Sequence, residues 1–173
     1  MLRMGVNQRA QIRMTDGEID AFLRERRTMS MATIGPGGRI QLVAMWYGFV
    51  DGTIGFETKA KSQKVQNLRR DKRLTVLVED GHTYDELRGV ELSGWGEVIE
   101  DPAQLFELGV SVFERYQGPY TAEMRPFVEQ MMNKRVVVRV DPLRVRSWDH
   151  RKLGLPEMPV AGSTATPLSR TGR

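Results

Sequence analysis

The stretch ETKAKSQKVQNLRRDKR, Glu57 to Arg73, carries seven Lys or Arg residues and two acids in seventeen positions. Its net charge of +5 exceeds the +4 of the whole 173-residue chain, so the remainder sums to about −1 and the basicity is local. A nucleic-acid binder spreads its cations along a face to neutralise many phosphates at once. One compact cluster suits a small anion, or is a solvated helix face. The order within the stretch bears on the choice. Ser62 reads as the N-cap of a short helix whose inward residues are Val65 and Leu68, following a strand. Arg69 and Arg70 fall at its end, where cations complement the negative pole of the helix dipole and need no further role. Lys59, Lys61 and Lys64 crowd the positive pole, where they repel the dipole and one another unless an anion sits among them. That arrangement points to a phosphate site, with a solvated face as the alternative.

Working outward, the neighbouring segments read as short strands. TIGFETK leads into the lysines and is joined to RIQLVAMWYGFV through Asp51-Gly52, a strong two-residue hairpin signal. TMSMATI precedes that segment across the turn GPGG, and RLTVLVE and GVELSGWGEVIE follow the helix across the polar loop DGHTYDELR. Before them, Thr15 and Glu18 form a capping box for a helix bearing Ile19, Phe22 and Leu23. After them, Asp101-Pro102 caps a helix with Leu105, Phe106, Val112 and Phe113, and a second helix is expected from Thr121. A strand pair, RVVVRV and RVRSW, closes the chain. Hairpin-linked strands predict an antiparallel sheet curled into a small barrel. The expected organisation is an extension over 1–14, one domain over 15–155, and a Pro/Gly/Ser/Thr-rich tail over 156–173.

Composition narrows the chemistry. The chain has no cysteine, which excludes disulfides, thiolate nucleophiles and zinc-cysteine sites and suggests a reducing compartment. No apolar run approaches the ~20 residues of a membrane span, and the N-terminus lacks the apolar core of a secretion signal. The expectation is a cytoplasmic protein with no membrane partner. The two histidines, His82 and His150, belong to no ligand cluster, so no protein-held metal is expected. The glycines of SGWG, Ser93 to Gly96, sit inside a strand pattern and suit a bulge or a close approach of another group. An enzyme built from these residues needs a bound cofactor to bring the reactive atom.

The hairpin carrying LVAMWYGF, the lysine-bearing loop and KVQNLRRDKRLTVLV together resemble the split-barrel flavin and deazaflavin oxidoreductases related to pyridoxamine-phosphate oxidase. The likeness runs from about Thr15 to about Trp148 and is sharpest in K-x-x-N-L-R-R-D-x-R, Lys64 to Arg73, where Lys72 stands in place of the family's usual proline. The chain is most similar to the branch that uses coenzyme F420. The resemblance implies an α+β, mainly β fold: a six-stranded antiparallel split barrel with flanking helices, forming a homodimer with cofactor sites at the subunit interface. It implies that the cofactor's phosphate rests on Lys59, Lys61, Ser62 and Lys64, that the ring lies over Val43, Met45 and Trp46, and that Thr58 is among the cofactor-binding residues. Trp95 and Trp148 are candidate walls for the ring or substrate, though tryptophans in small barrels also serve the core or a dimer interface. Tyr47 and Tyr84 are candidate donors to developing negative charge, and no catalytic residue is assigned.

Four functions follow. The first is an F420-dependent reductase moving a hydride to a small electrophilic acceptor. The second is an FMN-dependent oxidoreductase on the same scaffold, because one phosphate on a basic loop does not separate the two coenzymes. The third is a non-catalytic split barrel that stores or senses a cofactor or another small anionic ligand. A nucleic-acid module is disfavoured by the near-neutral remainder of the chain.

Overall fold

The computed structural model describes residues 7–26 and 28–159. The expected extension is thus described from Asn7 and the expected tail to Pro159, and the rest of both lies outside the described residues. In chain order the elements are α1 (Gln8–Gln11), α2 (Asp16–Glu25), β1 (Thr28–Ile34), β2 (Ile40–Trp46), β3 (Gly48–Val50) and β4 (Thr53–Lys59). Then come α3 (Gln63–Arg70), β5 (Arg73–Asp80), β6 (Arg88–Ile99), α4 (Pro102–Tyr116), α5 (Arg125–Met132) and β7 (Arg135–Asp149). The strands form one sheet in the order β2-β1-β5-β6-β7-β4-β3, every neighbouring pair antiparallel. The fold is mainly β, as expected.

The strand count is seven rather than the six that the resemblance implied. The segment read as one strand from Arg39 to Val50 breaks at Tyr47, whose side chain is fully buried. The Tyr47 hydroxyl lies 2.7 Å from the Leu23 carbonyl and 2.8 Å from that of Arg26, while its N–H donates to the Tyr116 hydroxyl at 3.0 Å. Turning the ring inward tears the ladder there and leaves β3 as a separate three-residue strand. Arg115 locks the break: its guanidinium donates to the carbonyls of Tyr47, Leu23, Arg24 and Arg26, so it also closes the C-terminal end of α2. Two further corrections concern the C-terminal third. The expected strand pair is one strand, β7, and the expected helix from Thr121 is a 3₁₀ turn over Ala122–Met124 leading into α5, with Pro126 in the first turn.

The local signals hold. Asp51 and Gly52 have φ of 50° and 72°, both positive as a type I′ hairpin requires. The β6–β7 register slips between Ser93 and Gly94, and a Cβ at Gly94 would collide with the Asp141 carbonyl, so the SGWG segment does carry a bulge at its close approach. Inside the curl, Met29, Met31, Phe56, Val76, Val90 and Val138 belong to the main core. A second, smaller core forms where α4 lays Leu108 and Val112 over Val50 and Val137.

Candidate functional site

β4 runs out at Lys59, and α3 starts only four residues later, so the chain reverses through Ala60, Lys61 and Ser62. Two backbone bonds hold this loop: Ser62 N–H donates to the Lys59 carbonyl at 2.8 Å, and Ala60 N–H to the Lys134 carbonyl at 3.0 Å. Within the loop, Thr58 is buried and its hydroxyl lies 3.4 Å from that of Ser62 and 3.3 Å from Lys64 Nζ. The sequence-predicted residues Thr58, Ser62 and Lys64 are therefore brought together, with Lys59 and Lys61 exposed beside them.

The helix start itself is open. At α2 and α4 the N-cap side chains of Thr15 and Asp101 accept amide hydrogens, whereas Ser62 occupies the N-cap of α3 without capping it, and no acid lies in the first turn. Among the described residues the first-turn amides thus have no side-chain acceptor. The basic segment divides by partner. In its second half Arg69 pairs with Glu100 at 2.5 Å, Arg73 with Asp71 at 2.6 Å, and Arg70 donates to the Ile34 carbonyl at 2.7 Å. In the first half Lys59, Lys61 and Lys64 have no carboxylate in ion-pair range among the described residues.

The orientation of α3 is fixed by a buried polar network. Asn67, fully buried, donates to Thr33 Oγ1 at 3.1 Å and to Gln41 Oε1 at 2.9 Å, and accepts from Gln63 Nε2 at 2.9 Å. Every polar atom of this amide is used, so the asparagine of the K-x-x-N-L segment pins the helix against β1 and β2.

Three charged residues at the site were missed by sequence reasoning. Arg135 stands directly opposite Lys59 in the β4–β7 pairing, and Lys134 precedes it with φ of 59°. Glu57 lies 3.3 Å from Arg135 Nη1. Burial pushes the Glu57 carboxyl above its ordinary range, against the pull of Arg135, Lys59 and Lys64. Only the pairing of two strands 76 positions apart creates this group, and no local pattern announces it.

The proposed ring and wall residues are dispersed. Val43 and Met45 are half-buried and pack on the main core, while Trp46 alternates to the outside and stacks on Tyr116, centroids 4.3 Å apart. Trp95, opposite Arg73, lines a cleft of about 420 Å³ with Ile40 and Leu143 on the outer face of the sheet. Trp148 faces Gly89 on β6, six residues and about 20 Å along the strand from Trp95. Within one chain the three tryptophans do not meet. Tyr47 is not available as a donor to a ligand: its hydroxyl is buried against backbone carbonyls and desolvation pushes its pKa up to about 12. Tyr84 is exposed and packs edge-on against His150, centroids 4.4 Å apart. Among the described residues no group of three metal-ligating side chains occurs, and no helix is long and apolar enough to cross a membrane.

The sequence matches the family described as pyridoxamine 5'-phosphate oxidase over residues 15–149. No curated protein matches it. Among solved structures it is similar to a conserved hypothetical protein, Rv2991 from Mycobacterium tuberculosis, with 60% identity, a TM-score of 0.88, and coverage of 91% of this chain and 98% of that one. It is similar to an F420 reductase at 27% identity, a TM-score of 0.54, and 73% and 94% coverage. HutZ, the heme storage protein from Vibrio cholerae, shares the fold at 15% identity, a TM-score of 0.59, and 75% and 92% coverage.

Proposed function

We propose, from the premise that this chain belongs to the pyridoxamine 5'-phosphate oxidase family, that it is an oxidoreductase using coenzyme F420, with FMN as the alternative, to move a hydride to or from a small electrophilic substrate. The observation that carries this reading is the uncapped start of α3 ringed by Lys59, Lys61 and Lys64, none of which has a carboxylate partner among the described residues. A phosphate there gains helix amides, two hydroxyls and ammonium groups together. The likeness to an F420 reductase favours the deazaflavin over FMN.

The residues fit such a group. Lys59, Lys61 and Lys64 would neutralise the phosphate, Thr58 and Ser62 would donate to its oxygens, and the Asn67 network would hold α3 in place for it. Val43 and Met45 share one side of β2 and would give the ring an apolar bed that excludes water, whereas Trp46 lies on the other side of the strand, so that it, Trp95 and Trp148 would reach the ring only from a second copy of the chain. When bound, the cofactor's ring supplies the hydride chemistry; the chain's part is to bind, orient and desolvate. A homodimer and a cytoplasmic setting belong to this proposal, the latter from the cysteine-free sequence.

Equilibrium titration of the purified protein with F420 and with FMN, side by side, tests the reading. Tighter F420 binding, lost in Lys61→Ala/Lys64→Ala, is expected. Preference for FMN would transfer the assignment to the flavin, and failure to bind either would overturn it. Binding without turnover of any electrophilic acceptor would favour a cofactor carrier.

A further inference from the structure

Sorting the cations by partner isolates a second cluster. Nearly every described arginine meets a carboxylate or a backbone carbonyl; Arg9, Arg13, Arg39 and Arg144 do not. Three of these four, Arg9, Arg13 and Arg144, line one groove of about 670 Å³ at the far end of β7. Arg146 joins them, with Glu91 at 3.3 Å as its carboxylate.

The groove is two-sided in chemistry. Arg144 and Arg146 alternate along β7 on one face, about 7 Å apart, and Arg9 and Arg13 approach from the N-terminal segment. Ile12, Val145 and Trp148 line it as well. The Trp148 indole lies against Gly89, where a Cβ would collide with the ring, so the missing side chain makes room for the indole there. Four guanidinium groups lining one groove with Glu91 as the one carboxylate among its lining residues repel one another, and an anion bearing several charges relieves this. Arginine forks also match planar oxyanions two bonds at a time, which a lysine ring does not. Arg135 at the α3 site and Arg144 here are nine residues apart on β7, about 30 Å along the strand. One small ligand does not span both within a chain.

We propose that this groove is a second anion site, distant from the α3 lysines of the same chain, taking an organic anion with two or more carboxylate or phosphate groups on an apolar or aromatic body that lies against Trp148. The assignment uses none of the α3 residues but shares Trp148 with the cofactor reading, in which that side chain reaches the ring bound by a second copy, and Arg144 also borders the Trp95 cleft; the lysine double variant tells the two sites apart.

Calorimetric titration of the full chain at fixed ionic strength tests it, with benzene-1,3,5-tricarboxylate as the carboxylate probe and inorganic pyrophosphate as the phosphate probe. Saturable binding of the tricarboxylate, one per chain, is expected, tighter than that of pyrophosphate because the apolar wall rewards the ring. The Arg13→Ala/Arg144→Ala variant should lose at least tenfold in affinity, and Lys61→Ala/Lys64→Ala should retain wild-type affinity within about twofold. Absence of saturable binding, or equal losses in the two variants, would overturn the site. Tighter pyrophosphate binding would overturn the role of the apolar wall. If the double arginine variant does not fold, Arg144→Lys serves instead: it keeps the charge and removes the fork, and unchanged tricarboxylate affinity in that variant would sink the proposal.

Discussion

Lys64 and Arg70 lie six positions apart on one helix and have opposite surroundings. Among the described residues Lys64 donates to the Thr58 hydroxyl alone, whereas Arg70 donates to the Ile34 carbonyl and to Asn67. Lys64→Ala should therefore weaken cofactor binding by about 1.5–3 kcal/mol, the range for hydrogen bonds to charged groups, and Arg70→Ala should leave affinity nearly unchanged while lowering the melting temperature. Equal affinity losses in titration would return the segment to a diffuse basic face. Glu57 should act with the reverse sign, because its carboxylate opposes an anion among the same lysines; Glu57→Gln is expected to tighten sulfate binding several-fold. Tyr47 gives a pH test. Its folded pKa of about 12 stands above the ordinary 10.0, so its stabilising contribution is complete below pH 10 and disappears as pH rises from there through about 12. Chemical denaturation across that window should show a loss of stability in wild type that is smaller in Tyr47→Phe; parallel curves would mean that the buried phenol does not titrate with folding.

At the scale of the element, α3 behaves as a helix whose positive pole lacks its counter-charge. Binding an anion there relieves repulsion among Lys59, Lys61 and Lys64, so millimolar phosphate should stabilise the apo protein against heat. Screening and the general compacting effect of such salts act too. Lys61→Ala/Lys64→Ala at matched ionic strength should keep the general part and lose the rest. Equal gains in melting temperature would remove the anion site from this helix. That α3 and its lysines could be found in the sequence at all reflects how local the signals are: charge against dipole needs only a few consecutive residues, and Asp51-Gly52 fixes the hairpin without outside help. The strands over 28–34 and 53–59 begin and end where they were read for the same reason. What escaped was set at long range. The break at Tyr47 depends on Leu23, Arg26, Arg115 and Tyr116, and the meeting of Lys59 with Arg135 on a register that β4 alone does not encode.

For the molecule as a whole, the outer side of β2 is largely uncovered by the described residues. β2 is an edge strand, and its outward residues are Ile40 at 66%, Leu42 at 68% and Trp46 at 58% exposure, with Ala44 between them. Across the sheet this apolar row gives way to small residues, Ser30 and Ala32 on β1, Thr75 on β5 and Ser93 on β6, which share the face by register. Leu143 on β7, 66% exposed, borders the same cleft as Ile40 and Trp95. Large apolar side chains beside a flat of small ones are suited to an isologous contact, in which each copy's row settles on the other's flat. A stable contact of that kind buries about 800 Å² per partner, and it would bring a second chain's tryptophans within reach of the first chain's site. We therefore expect an obligate homodimer. Sedimentation at micromolar concentration should show dimer only, and Leu42→Asp, which places a charge in the centre of the row, should dissociate it or unfold it and reduce cofactor affinity at the same time. A folded wild-type monomer at that concentration would refute the dimer, and a monomeric Leu42→Asp variant with unchanged cofactor affinity would show that the site is complete within one chain.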